Sequence, residues 1–161
     1  RVAGKLDAIR GQENVLRFTA EEAGVYRGEC AEFCGIQHAN MNFLVVAESP
    51  TRFGQWEQTE VQRAGLPTDE QSARGRVVFE RESCAGCHTI RGTSAAGTLG
   101  PDLTHIGSRR TLGAATVPNT TDNLTDWIAD ARSIKPGNKM PPIALDPADL
   151  RALVHYLQGQ K

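Results

Sequence analysis

Two groups of soft metal ligands use all four cysteines and both methionines of this 161-residue chain. The first group is Cys30, Cys34, His38 and Met41, with Glu32 between the two cysteines. The second is Cys84-Ala85-Gly86-Cys87-His88, with Met140 far downstream. Thiolate and thioether ligands select copper, and imidazole suits it as well. The Cys-x-x-Cys-His sequence is the pattern of covalent haem attachment. Two redox metals on one polypeptide predict a protein that passes electrons.

Cys84 and Cys87 can each add to a haem vinyl group as thioethers, and His88 is then held beneath the iron as its proximal ligand. A zinc reading needs a second ligand pair, and only the scattered His105 and His155 are on offer. A thioredoxin-like redox pair needs a βαβ setting, and no such pattern surrounds the motif. Met140 lies in Lys135-Pro136-Gly137-Asn138-Lys139-Met140-Pro141-Pro142, where prolines on both sides stiffen the loop. A lone methionine is often core filler, but this loop is polar and proline-rich, which favours an axial ligand. His/Met ligation closes both axial positions and raises the haem potential, the design of an electron carrier. Pro101, in Gly100-Pro101-Asp102-Leu103, offers a carbonyl to the Nδ1 hydrogen of His88, the outer contact that metal-bound histidines make. His105 and His155 read as ordinary polar histidines, with His155 at the surface.

On the first group, two thiolates four residues apart on one loop can both bridge two copper ions. His38 and Met41 then supply one terminal ligand each, and the Glu32 carbonyl reaches one metal. A mononuclear blue-copper site needs a single cysteine, so the second argues for a dinuclear centre. A Cys30–Cys34 disulfide is the alternative on spacing alone.

The elements that must position these residues change character along the chain. Up to about residue 48 the pattern is β. Val15–Thr19 alternates apolar and polar, Gly24–Gly28 reads as a short strand, and Asn42–Ala47 is a β-branched run suited to a buried strand. The copper ligands therefore fall on the loop between two strands. Fewer than 50 residues of strand make a poor core without more chain. Residues 51–63 read as a short polar helix containing Trp56, and 63–67 as a linker. From Thr68, with Gln71 as its capping-box partner, a helix runs to about Glu82, and Gly75 allows another helix to approach closely. A second helix spans about 122–132. The last begins at Asp146-Pro147, carries a stripe of Leu150, Leu153, Val154 and Leu157, and ends at Gly159. The long stretch 89–121 lacks periodicity and needs something to wrap around. The expected architecture is α+β with two domains: residues 1–50 the C-terminal part of a β domain, 51–67 a helix and linker, and 68–161 an all-α domain.

Composition agrees with a folded protein: 39% hydrophobic, 23% charged, net charge −1. This balance gives no reason to expect nucleic-acid binding. No apolar run is long enough to span a membrane. Haem attachment through Cys-x-x-Cys-His occurs outside the cytoplasm, which points to the periplasm.

Gly28-Glu29-Cys30-Ala31-Glu32-Phe33-Cys34-Gly35, with His38 and Met41, resembles the dinuclear copper (CuA) loop of cytochrome c oxidase subunit II. Gly100–Arg109 and Pro136–Pro142 resemble the cytochrome c domain fused to subunit II in bacterial cytochrome-c-fused oxidases. The similarity covers essentially the whole chain. It implies a partial cupredoxin-like β-sandwich followed by a class I cytochrome c domain. It also implies that Cys30 and Cys34 bridge both coppers, that His38 and the Glu32 carbonyl complete one and Met41 the other, and that the Glu32 carboxylate reaches a magnesium or manganese ion shared with subunit I. The implied partners are subunit I, the other oxidase subunits and an upstream donor, either a quinol–cytochrome c reductase or a soluble carrier. Electrons would enter at the haem, pass to CuA and go on to subunit I, where oxygen is reduced; this chain itself shows no oxygen-reducing site. The family pattern places two membrane helices and a further histidine ligand upstream of Arg1, so the resemblance implies an N-terminally truncated chain at the outer face of the bacterial cytoplasmic membrane, with an aromatic electron-entry patch also missing. A stand-alone periplasmic haem and copper carrier, and a CuA-type nitric oxide reductase subunit, are the alternative functions. The expectation for this polypeptide alone is an incomplete CuA centre, and an intact mixed-valence copper spectrum from it would contradict that.

Overall fold

The computed structural model describes residues 4–161. Residues 1–3 of the expected β segment lie outside the described residues. Two antiparallel strands, β1 (Gly24–Glu29) and β2 (Asn42–Ala47), form a hairpin with Gly24 opposite Ala47 and Glu29 opposite Asn42. Helix α1 (Pro50–Glu60) follows, then α2 (Glu70–Arg81), the single turn α3 (Cys84–Cys87), a two-residue ribbon β3 (Thr111–Leu112) with β4 (Val117–Pro118), α4 (Thr121–Ile134) and α5 (Pro147–Gln158). The architecture is α+β, as the residue pattern predicts.

The hairpin carries little core of its own. Its only buried residue is Asn42, while Val25, Phe43 and Val46 are exposed. Asn42–Ala47 is thus a half-exposed strand and not the buried one its composition suggests, because no second layer crosses the sheet among the described residues. Gly28 permits one local economy: the Phe43 ring lies across it, where a Cβ would sit 2.2 Å from the ring. Val15–Thr19 is not a strand. It belongs to no regular element and leaves Val15, Leu16 and Phe18 exposed, because no neighbour among the described residues takes up its backbone hydrogen bonds.

The core lies in the second half and draws every buried apolar side chain from Val78 onward. Its frame is the crossing of α2 on α5. Gly75 makes the crossing close, since a Cβ there would sit 2.0 Å from the Ala152 carbonyl oxygen. The Phe79 and Tyr156 rings then meet edge to face, centroids 6.2 Å apart. Asp149 on α5 ties the same pair of helices: its carboxylate accepts from Arg74 Nε at 2.8 Å and Arg81 Nη2 at 2.6 Å. These guanidiniums, Arg81 foremost, hold the Asp149 carboxyl below its ordinary range.

Helix boundaries follow local chemistry. Ser49 caps α1, and Pro50 fills its first position, so Ser-Pro both ends the sheet and starts a helix. Asp69 caps α2, and not Thr68 as the capping-box pattern suggests: its Oδ1 accepts the Ser72 N–H at 2.7 Å. A carboxylate at this position also meets the positive end of the helix dipole, which a hydroxyl does not. Asp146 caps α5 through the Ala148 N–H, as expected. Helix α4 covers the predicted span but is kinked at Asp130 (φ −156, ψ 87). The kink frees the Ala129 carbonyl, which the Ile143 N–H takes at 3.1 Å, and the Asp130 side chain restarts the helix through the Arg132 N–H at 3.0 Å.

Two measurements test this frame. Gly to Ala in a helix normally stabilises by about 1 kcal/mol, and Gly54→Ala in α1, where a Cβ meets nothing within 4 Å, should follow that sign. Gly75→Ala should do the opposite and lower the unfolding free energy by roughly 1–3 kcal/mol, because helix backbone cannot give way as a side chain can. For Asp149, the lowered folded-state pKa means that its stabilisation is present above the free carboxyl value of about 3.9 and is lost as pH falls through the folded value. Denaturation curves across that acid window should show a shallower pH dependence for Asp149→Asn.

Candidate metal centres

The first donor set is built by the β1–β2 connection. The Cys30 N–H donates to the Met41 carbonyl at 2.9 Å, which continues the hairpin ladder one step into the loop and brings residues 30 and 41 together. Gly35 turns the chain with φ +116, a conformation side-chain-bearing residues rarely adopt, and the His38 N–H closes back on the Gly35 carbonyl at 3.0 Å. A 3₁₀ turn, His38–Asn40, then returns the chain to β2. The donor atoms converge: Cys30 Sγ to Cys34 Sγ is 3.6 Å, Cys34 Sγ to His38 Nδ1 is 3.9 Å, and Cys34 Sγ to Met41 Sδ is 3.8 Å. Ligands on a tetrahedron of metal–sulfur bonds of about 2.3 Å stand roughly 3.8 Å apart, so the loop already holds coordination spacing. The Glu32 carbonyl lies 3.1 Å from Cys30 Sγ and faces the same cluster. The cysteines are not joined in a disulfide.

The proton chemistry agrees with a metal site. The hydrogen bond from Cys30 raises the Cys34 pKa, with desolvation adding to it, so the two thiols resist ionising side by side. A cation that binds both sulfurs removes that penalty by displacing the protons. The Glu32 carboxylate turns away and pairs with Lys5 at 2.8 Å. Phe33 and Ile36 stand exposed at the loop tip, with the Phe33 ring 5.7 Å from that of His38.

The second set begins where α2 stops. Ser83 adopts a left-handed turn (φ 61) that reverses the chain into the single turn carrying Cys84 and Cys87. Both cysteines are free, Cys84 half-buried and Cys87 exposed, and burial pushes the Cys84 thiol up. His88 Nδ1 is 2.8 Å from the Pro101 carbonyl, the partner expected from the residue pattern. That bond holds the proton on Nδ1 and leaves Nε2 with its lone pair free for a metal. Gly97 and Gly100 form the wall against this turn: a Cβ at Gly97 would sit 2.5 Å from the Cys87 carbonyl carbon, and one at Gly100 2.5 Å from His88 Cε1. The Gly100–Pro101 segment is braced from behind. Asp102 Oδ1 accepts the Thr104 N–H at 2.8 Å, the Asp102 carbonyl accepts Arg109 Nη2 at 2.6 Å, and the Arg91 N–H donates to Thr104 Oγ1 at 2.8 Å.

Met140 is half-buried and fixed by its backbone: its N–H donates to Asn138 Oδ1 at 2.7 Å and its carbonyl accepts Arg132 Nε at 3.2 Å. The residue pattern does not single out Arg132 or Arg91, whose partners lie a turn or more away along the chain, Gly97, which acts through the want of a side chain, or Asn138, whose bond to the Met140 N–H is local but carries no motif. His155 is exposed and bonds Asp69 at 3.0 Å, as an ordinary polar residue would. His105 is instead 4% exposed, and neither ring nitrogen has a partner.

A hairpin loop with converged soft donors, joined to a small helical domain with a haem-attachment turn, defines a redox protein of c-type cytochrome and copper character. The chain belongs to the cytochrome c family, whose model matches residues 72–161, and its residues 1–49 match the model of the cytochrome c oxidase subunit II periplasmic domain. It is 37% identical over 161 residues to cytochrome c oxidase subunit 2 of Alkalihalophilus pseudofirmus, covering 99% of this chain and 46% of that protein. It is 32% identical over 171 residues to the subunit 2 of Bacillus subtilis, covering 99% of this chain and 48% of that one. A shorter match, 38% over 58 residues, reaches the mitochondrial subunit 2 of Vigna unguiculata, with 36% of this chain and 15% of the plant protein covered. The chain thus spans about half the length of the bacterial relatives. The subunit II match is to a periplasmic domain, which puts the chain outside the cytoplasm. No helix among the described residues is long and apolar enough to cross a membrane.

The wall at Gly100 is testable. Gly100→Ala should displace the His88 ring and break its bond to Pro101. The expected result is a lower yield of covalent haem protein and a shifted Soret band in what forms, read against Gly86→Ala, where a Cβ meets nothing within 4 Å.

Proposed function

We propose that this chain is the electron-transfer portion of a terminal haem-copper oxidase subunit, carrying a covalent haem c and a CuA pair. When bound, these groups would supply one-electron redox chemistry, with charge passing from haem c to CuA and on to subunit I for oxygen reduction. The observation that carries the reading is the convergence of Cys30, Cys34, His38 and Met41 at 3.6–3.9 Å on the same chain as a haem-attachment turn.

The residues divide the work. Cys84 and Cys87 anchor the porphyrin, His88 ligates through Nε2, and the Pro101 carbonyl orients the ring. Met140 would offer its thioether to the haem iron from a loop held by Arg132 and Asn138. Cys30, Cys34, His38, Met41 and the Glu32 carbonyl would hold the coppers. Of the four histidines, His38 is the one that the described loop groups with Cys30 and Cys34. The Glu32 carboxylate, paired here with Lys5, would be the group offered to a magnesium or manganese ion at the contact with subunit I. The domain limits that fit this division are 1–50 for the copper part, 51–67 for the connecting helix and linker, and 68–161 for the cytochrome. The chain works at the outer face of the bacterial cytoplasmic membrane, receiving electrons from a reductase or a soluble carrier.

Metal and haem analysis of the protein isolated from its source tests the reading. One covalent haem with two coppers per chain is the expected result; zinc, or haem without copper, points to a stand-alone carrier instead. Met140→Ala should lower the haem midpoint potential and change its optical spectrum, since loss of the thioether removes the ligand that raises the potential. An unchanged potential and spectrum would rule out Met140 as the ligand.

A further inference from the structure

The two halves of the chain touch at a turn that is strained and bridged by a lysine. Between β3 and β4, Gly113, Ala114 and Ala115 have φ of 61, 62 and 57, three successive left-handed residues. For alanine this conformation costs roughly 1–2 kcal/mol per residue, and such strain persists only where surrounding contacts impose it. The contacts are visible. Beneath the turn lies the Trp127 ring of α4, so close that a Cβ on Gly113 would be 2.4 Å from it. Above it lies the return limb of the copper loop, whose Asn42 N–H donates to the Ala114 carbonyl at 3.1 Å. Lys135, the C-terminal cap of α4, reaches between the two: Nζ donates to the Gly113 carbonyl at 2.6 Å and to the Asn40 carbonyl at 2.9 Å. Thr116 Oγ1 lies 3.5 Å from the same Asn40 oxygen.

The position of these residues gives the contact its meaning. Asn40 directly precedes Met41 of the copper loop, and Lys135 opens the 135–142 loop that carries Met140. One side chain therefore joins the backbones of the two ligand loops. Few other contacts compete with it: the nearby Arg110–Glu48 pair is 4.0 Å apart on the rim and contributes little. Lys135 has no carboxylate partner among the described residues. Burial lowers its pKa, so a charge that would prefer water is kept at this contact by carbonyl oxygens alone.

We propose that Lys135 is a positioning residue for electron transfer, a latch that seats the copper loop on the strained 113–115 turn and so sets the separation of the two redox centres. This rests on the electron-transfer reading above. The latch acts on distance and not on the ligands themselves, so its removal changes the rate of transfer and leaves each centre's potential alone.

The experiment compares the haem- and copper-loaded protein with its Lys135→Met and Lys135→Arg variants. Hydrogen exchange at the Asn42 amide reads the latch directly, without reference to activity. Lys135→Met should speed it at least about tenfold, the equivalent of about 1.4 kcal/mol, and Lys135→Arg, which keeps the cation and its donors, should recover most of the protection. Rapid photoreduction of the haem then reads intramolecular transfer to copper, which should slow severalfold in Lys135→Met with both midpoint potentials and the haem spectrum unchanged. Unchanged Asn42 exchange overturns the latch. Faster exchange with an unchanged transfer rate overturns its role in positioning. A shifted haem potential or spectrum in both variants assigns Lys135 to haem-loop folding and also overturns the proposal. Absence of haem-to-copper transfer in the unaltered protein is a different failure, that of the electron-transfer reading itself.

Discussion

The crossing of α2 on α5 at Gly75 determines where the haem-attachment residues stand. Helix α2 ends at Arg81, and Ser83 reverses the chain directly into the turn of Cys84, Cys87 and His88. Any displacement of α2 is therefore carried almost unchanged into the thiols and the imidazole. The Ala152 carbonyl leaves no room for a Cβ at residue 75, so the two backbones meet at a separation set by atoms that cannot rotate away. Asp149, gripped by Arg74 and Arg81, stops the helices from sliding along one another. The contact limits both spacing and register, and the rest of the cytochrome half is arranged around it.

The two donor sets have unequal support. The haem turn rests on a buried core and on the braced Gly100–Pro101 segment. The copper loop rests on a two-stranded hairpin, which in isolation is at best marginally stable. Its donors nonetheless converge, because the hairpin register extends to the Cys30–Met41 bond and Gly35 supplies the reversal. The remaining rigidity comes from the cytochrome half, where Ala114 and Lys135 receive and hold the return limb. Seating the weaker element on the stronger one also ties the Asn40 carbonyl, beside Met41, to Lys135 at the head of the segment that carries Met140.

The residue pattern carried the reading a long way where information was local. Asp146-Pro147 announced α5, Gly24–Gly28 and Asn42–Ala47 announced the hairpin, and the Pro101 carbonyl was foreseen as the partner of His88. It misled where an outcome depended on a partner. Val15–Thr19 alternates like a strand but has no described neighbour to pair with. Thr68 and Asp69 are both good caps, and the Asp69 carboxylate, which takes the Ser72 N–H and meets the helix dipole, is the one used. The Asp130 kink was not legible, because the residue that takes the freed Ala129 carbonyl is Ile143, beyond the end of the helix.

What the sequence alone determined is the chemistry on offer: two soft thiolates with an imidazole and a thioether on one loop, and a Cys-x-x-Cys-His turn with a proline-stiffened methionine downstream. Covalent chemistry and short spacings are properties of a few adjacent residues, and they survive in any fold that brings the loop closed. Tertiary structure alone decided which donors actually meet, that Gly97 and Gly100 act by having no side chain, and that Lys135 joins the two ligand loops. Those outcomes depend on residues tens of positions apart, and nothing local records a neighbour that arrives only when the core has formed.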